Sequence, residues 1–155
     1  METDYPLKEL VSCNEIQIHY KRQLFDSMPH IENINVAHMH LRECIDLNRI
    51  DHVEFFWALY LTNSNRLIAL AEIGIGTSNQ VCVSLKSIIQ KALLTNATGI
   101  IVAHNHPSGS LQASEADLSM TKKITQACKF FDIKLIDHII ITSEGFLSFA
   151  NENLL

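Results

Sequence analysis

The sequence predicts an α/β layered domain in which a mixed β-sheet is flanked by helices. Three observations carry this expectation. Apolar, strand-like runs are interleaved with stretches of helical periodicity, the ordering expected of a layered α/β fold. Two of the runs are joined by a short Thr-Asn-Ser-Asn stretch (62–65), which makes them an antiparallel hairpin. A chain of 155 residues, 47% of them hydrophobic, is also enough for one domain with a sizeable core.

The elements follow in chain order. The first 30 residues read apart from the rest, as an N-terminal strand or arm, because residues 15–20 alternate polar and apolar. The main domain is expected over residues 31–155. It opens with a helix over 34–49 that carries Val36, His40, Cys44 and Leu47 near one face. Residues 54–61 are rich in aromatic and aliphatic side chains and read as a central strand, with 66–75 returning beside it. A helix over 84–96 is predicted from Leu85, Ile88, Ile89, Ala92 and Leu93, which repeat at i, i+3, i+4, i+7 and i+8. A third, buried strand covers 99–104. A long helix covers 114–131, with Leu118, Ile124, Cys128 and Phe131 inward. Residues 134–142 supply a fourth strand and 146–149 a short last one.

Bulk properties narrow the function classes. No apolar run reaches the roughly 18 residues of a membrane span, and the N-terminus lacks the basic-then-apolar pattern of a secretory signal. Both point to the cytoplasm. Cys13, Cys44, Cys82 and Cys128 form no CxxC pair and read as free, largely buried thiols. The net charge is −5 and the pI about 5.9. Lys21-Arg22 and Lys122-Lys123 are the only dense basic clusters. That balance weighs against a dedicated nucleic-acid binder.

The chemistry is concentrated between residues 103 and 117. His104 and His106 lie two apart at the end of a predicted strand, so they share a face if strand geometry persists through them. Pro107 and Gly109 then turn the chain. Ser114-x-x-Asp117 has the form of a capping box with Asp at its fourth position, which sets Asp117 in the first helical turn. Two imidazoles, a carboxylate and an open fourth position match a catalytic zinc site.

His-x-His-Pro-x-Gly followed by Ser-x-x-Asp, with the Asp eleven residues after the second His, resembles the JAMM metalloprotease motif. The string 104–109 and the later Leu-Ile-Asp-His-Ile-Ile (135–140) are similar to the RadC branch of that JAB/MPN superfamily, over about residues 34 to 152. The resemblance implies a single MPN-type domain and a zinc-dependent hydrolase that cleaves a peptide or isopeptide amide through a zinc-activated water. It implies His104, His106 and Asp117 as ligands and a glutamate at the start of an early core strand as the proton-transfer group. By position this is Glu54, with Glu72 in the next strand as second choice. Ser114 matches the motif serine, which would hydrogen-bond a developing oxyanion and could serve as a helix N-cap as well. The expected partner is an unidentified peptide or protein, with self-association into a homo-oligomer open.

Two alternatives belong to other classes. One is an MPN-type binding or scaffold module with structural zinc; the other is a protein acting on or near nucleic acid, as the DNA-repair name of the RadC family implies. Where many RadC relatives have Pro-Arg-Glu, this chain has Leu85-Lys86-Ser87, and Ala113 stands where a proline often precedes the motif serine. These departures bear on substrate contacts, not on the ligands. His38 and His40 form another His-x-His pair, but on a helix two such residues point roughly 200° apart, so they read as surface or boundary residues. Asp137-His138 reads two ways, as a pair orienting a ligand histidine or as a satisfied polar step in a buried strand.

Overall fold

A computed structural model describes residues 21, 23–78 and 81–155. The strand expected at 15–20 lies outside the described residues. The order of elements is a 3₁₀ turn (Phe25–Ser27), α1 (Ile34–Cys44), a second 3₁₀ turn (Leu47–Arg49), β1 (Phe55–Leu61), β2 (Leu67–Ile75), α2 (Leu85–Leu94), β3 (Gly99–Asn105), α3 (Glu115–Lys129), β4 (Lys134–Ile141) and β5 (Phe146–Ser148).

The five strands form one mixed sheet in the order β2-β1-β3-β4-β5. β1 pairs antiparallel with both β2 and β3, β3 and β4 are parallel, and β5 returns antiparallel to β4. β1 and β3 are buried along their whole length. Their uninterrupted apolar runs, in place of alternation, follow from having helices on both faces. One face of the sheet presents Phe56, Ala58, Tyr60, Ile100 and Val102 to Ile88, Ile89 and Ala92 of α2 and Ile124 and Cys128 of α3. The other presents Phe55, Trp57, Leu59, Ile101 and Ala103 to Ala37 and Leu41 of α1. The period-2 alternation of β1 therefore divides its side chains between two core layers.

Local chemistry fixes the ends. Asn33 caps α1 by accepting from the Asn35 and Val36 amides, and Ser84 caps α2 by accepting from Ser87. Asn65 and Asn96, at φ 55° and 53°, take left-handed positions in the β1–β2 turn and after α2, a region asparagine tolerates better than most residues.

Three expectations need correction. The helix over 34–49 stops at Cys44, because Ile45 turns extended and Asp46 starts a separate 3₁₀ turn. Its buried face is Ala37 and Leu41, while Cys44 and Leu47 are exposed. Phe131 is 48% exposed, not inward, because α3 ends at Lys129 and the helical phase does not reach it. Among the described cysteines only Cys128 is buried, which pushes its thiol up to about 11; Cys44 and Cys82 are exposed free thiols. No helix among the described residues is long and apolar enough to cross a membrane.

Candidate metal centre

The site forms where β3 ends, beside the start of β1 and the first turn of α3. His104 pairs with Phe56 across the sheet on one side and with Ile140 on the other. The His106 amide still bonds the Ile141 carbonyl at 3.0 Å, so strand-like pairing continues one residue past β3. That continuation puts His104 and His106 on one face and Asn105 on the opposite one. The chain then turns: Gly109 donates its amide to the His106 carbonyl and sits at φ 80°, where a Cβ would be strained.

Asp117 is brought in by its helix. Ser114 is the N-cap of α3, accepting from the Asp117 amide at 3.1 Å, and both its amide and its hydroxyl donate to Asp117 Oδ2 at 2.7 Å. This reciprocal capping box holds the carboxylate against the strand end. Asp117 Oδ1 lies 3.1 Å from His104 Nε2 and Oδ2 lies 3.5 Å from His106 Nε2. The two Nε2 atoms are 3.0 Å apart.

The far nitrogens of the two rings show what the near ones can do. His106 Nδ1 is 2.8 Å from the Ser110 carbonyl, which can only accept, so Nδ1 carries a proton and donates it. In the neutral ring this leaves Nε2 as a bare lone pair. His104 Nδ1 faces His138 Nε2 at 2.8 Å. In the tautomers that leave both near nitrogens unprotonated, two lone pairs and a carboxylate converge with no donor among them. Such a cluster calls for a cation, and the three ligand atoms lie within 4.8 Å of one another. Two imidazoles and a carboxylate fit zinc's preference and leave a position open. The hydrogen bond to Asp117 leads in raising the His106 pKa, outweighing burial, which opposes it, with help from the Ser110 carbonyl and the charges of Asp117 and Glu54. Burial alone would raise the Asp117 pKa, but the two imidazoles beside it and its hydrogen bond from Ser114 outweigh burial and hold the carboxylate far below the usual range.

A cavity of about 550 Å³ opens over this cluster, lined among others by Glu54, Val81, Val83, Ser114, Met120 and Lys123. Glu54 is 8% exposed and its pKa is raised, chiefly by burial, against the opposing pull of His104 and His106. Glu72 lines a different, smaller cavity with Cys44, Arg49 and Trp57. Of the two candidate glutamates, the structure brings only Glu54 to the cluster. Ser114 does lie at the cleft, with its hydroxyl proton engaged on Asp117. His38 and His40 diverge as expected: His38 stacks on Phe146 with ring centroids 4.3 Å apart, and His40 meets Glu43.

Three buried residues complete the site. His138 has no solvent exposure and bridges His104 and Thr121, while Asp137 accepts from the His138 and Ala150 amides and from the Ser148 hydroxyl. The two readings of Asp137-His138 thus divide between the two residues. Burial, which disfavours a charged ring, holds the His138 pKa well below the usual value. Asn105 escaped the sequence reading. Its side chain accepts from the Phe55 amide and donates to the Ile50 and Val53 carbonyls, clamping the backbone on either side of Glu54. The available signal was an amide placed between two same-face histidines, hence on the opposite, core-facing side of the strand.

Fold and donor set together define a three-layer α/β domain with a His-His-Asp group able to hold a metal ion at the open end of its sheet. The chain belongs to the RadC-like JAB domain family, whose model matches residues 31–154. It is 41% identical over 132 residues to a UPF0758 protein of Haemophilus ducreyi, covering 85% of this chain and 59% of that one. It is 40% identical over 108 residues to a UPF0758 protein of Flavobacterium johnsoniae, covering 70% and 47%. The chain thus spans roughly half to three-fifths of the length of these relatives.

Proposed function

We propose that this domain is a zinc-dependent hydrolase that cleaves a peptide or isopeptide amide, with His104, His106 and Asp117 as ligands and Glu54 as the proton-transfer group. The observation that carries the reading is the convergence of two imidazole nitrogens and a carboxylate, all within 4.8 Å of one another, in a cleft that also takes in Glu54. When bound, zinc would polarise the amide carbonyl and lower the pKa of water to about 7.

The chain's own residues do the rest. Glu54 is desolvated enough that its pKa moves toward neutrality, as suits a group that takes a proton from the attacking water and passes it to the leaving amine. Ser114 donates to Asp117 in the resting site. Its part in stabilising an oxyanion requires that O–H to swing from the carboxylate toward the substrate oxygen. Val81, Val83 and Met120 give the cleft apolar walls that hold substrate side chains and displace water.

The test is elemental analysis of the wild type and of the double variant His104→Ala, His106→Ala, followed by a peptide and isopeptide cleavage panel. About one zinc per chain, lost in the double variant, is expected. Glu54→Gln should keep the zinc and lose cleavage by about 10²–10⁴-fold, the usual contribution of general acid–base catalysis. A wild type that takes up no metal when zinc is supplied overturns the reading.

A further inference from the structure

We infer that His138 and Thr121 are positioning residues: a buried relay from the Asp117 carbonyl through both side chains fixes His104 in the tautomer whose Nε2 lone pair faces the metal site. The inference rests on the metal-centre reading above and adds to it residues that touch neither metal nor substrate.

Three contacts make up the relay. Thr121 Oγ1 lies 2.7 Å from the Asp117 carbonyl oxygen and 2.6 Å from His138 Nδ1, and His138 Nε2 lies 2.8 Å from His104 Nδ1. A carbonyl can only accept, so it sets the polarity of everything downstream. Thr121 follows Asp117 by one helical turn and donates its single proton back to that carbonyl, a common bond for a mid-helix threonine. Toward His138 the same oxygen accepts, so His138 Nδ1 carries the proton. The His138 ring is fully buried; beyond Thr121 and His104, its neighbours are the rings of Phe56 and Phe149. A second proton there would be a buried charge whose two hydrogen-bond partners, Thr121 and His104, bring no carboxylate, which is expensive even with Asp117 acting from farther off. His138 Nε2 therefore accepts, and His104 Nδ1 donates.

The opposite polarity fails at the Thr121 end. It would leave the Thr121 hydroxyl oxygen and the Asp117 carbonyl oxygen 2.7 Å apart with no proton between them. It would also put a proton on His104 Nε2, which would then donate to Asp117 and have no lone pair for a metal. His106 reaches the same tautomer by a shorter route, through the Ser110 carbonyl. His104 has no such carbonyl partner and borrows one through two side chains. The relay also joins two of the ligands: the backbone of Asp117 orients the ring of His104 across β3, β4 and α3.

The experiment uses the full chain labelled at histidine nitrogens. Long-range proton–nitrogen NMR on the zinc-free protein reads the tautomer, and competition with a chromophoric chelator reads zinc affinity. The wild type should show His104 as the Nδ1–H tautomer. Thr121→Val, which keeps the shape and removes the hydroxyl, should show a mixture of tautomers and bind zinc about 10- to 100-fold more weakly, as outer-shell losses do elsewhere. Thr121→Ser should restore both readouts. A wild-type Nε2–H tautomer overturns the inference, as does Thr121→Val with a lower melting temperature but unchanged tautomer and affinity. If Thr121→Val does not fold, the wild-type tautomer alone decides. His104→Ala separates the two readings. If it loses zinc while Thr121→Val binds as the wild type does, the relay falls and the metal centre stands. If it binds zinc as tightly as the wild type, the metal centre itself falls and the relay with it.

Discussion

Truncating Asn105 should cost both stability and the placement of Glu54, and the two losses have a common origin. The Asn105 side chain is fully buried; Oδ1 accepts from the Phe55 amide at 2.7 Å, and Nδ2 donates to the Ile50 and Val53 carbonyls at 2.6 and 2.8 Å. These partners also fix the orientation of the amide, since a backbone N–H can only donate and a carbonyl only accept. In Asn105→Ala the Phe55 amide and the Ile50 carbonyl are left buried without partners, at about 1–3 kcal/mol each. The Val53 carbonyl is only partly buried and regains water, losing about 0.5–1 kcal/mol. Water entering the vacated space softens the penalty where two or more polar groups can hold it. The expected loss is therefore roughly 3 kcal/mol, within the range set by broken buried networks. Urea unfolding of the metal-free protein measures it as a lower midpoint at unchanged slope. The functional signature is separate: zinc content should stay at the wild-type level while cleavage falls, because residues 53–55 no longer hold Glu54 over the cluster. A loss below about 1 kcal/mol would refute the reasoning, showing that the three bonds merely break even with water and that the strand start is held by other contacts.

Three further outcomes are expected. Zinc at 100 times its dissociation constant should stabilise the native chain by about 2.7 kcal/mol, read as a shift in the thermal midpoint, and Asp117→Ala should abolish that shift. Gly74→Ala would set a Cβ 2.6 Å from the Cys82 carbonyl, at a cost of about 1–3 kcal/mol for overpacking against backbone. Because Val81 and Val83 flank that carbonyl and wall the cleft, its kinetic mark should be a raised KM more than a lowered kcat. The pKa of His38 is depressed, first by burial and then by Arg42, and its Nε2 is buried without a partner. The unfolded chain thus takes up this proton first, so the term is absent above the ordinary value of 6.5 and stability is lost as pH falls from there through the folded-state pKa. His38→Phe, which keeps a ring against Phe146, should lose less stability than the wild type over that window in chemical denaturation at stepped pH.

The contrast between what the sequence disclosed and what it hid follows the range of the interactions involved. The strand runs and the capping box at Ser114 are local features, and β1 to β5, α2 and α3 fall within one or two residues of expectation. α1 was misphased because the pattern through Cys44 and Leu47 looked continuous. The break at Ile45 depends on what the segment packs against, with Ile45 half-buried and Asp46 turned to cap a new turn. The site divides in the same way. His104, His106 and Asp117 come from one strand end and the next helical turn, so two local rules, alternation on a strand and the capping box, suffice to bring them together. Their supports do not come from that window. His138 reaches His104 from 34 positions away and Asn105 holds Phe55 from 50 positions away. Both contacts exist only because the sheet runs β1-β3-β4, setting the start of β1 and the end of β4 on either side of the end of β3. Thr121 was invisible for a stricter reason: a threonine within a helix has an ordinary local bond to make, and only the neighbouring strand turns that bond into a constraint on a ligand. A motif can therefore name the atoms that would bind a metal. Their protonation and aim are set by strand order, which is a property of the whole chain.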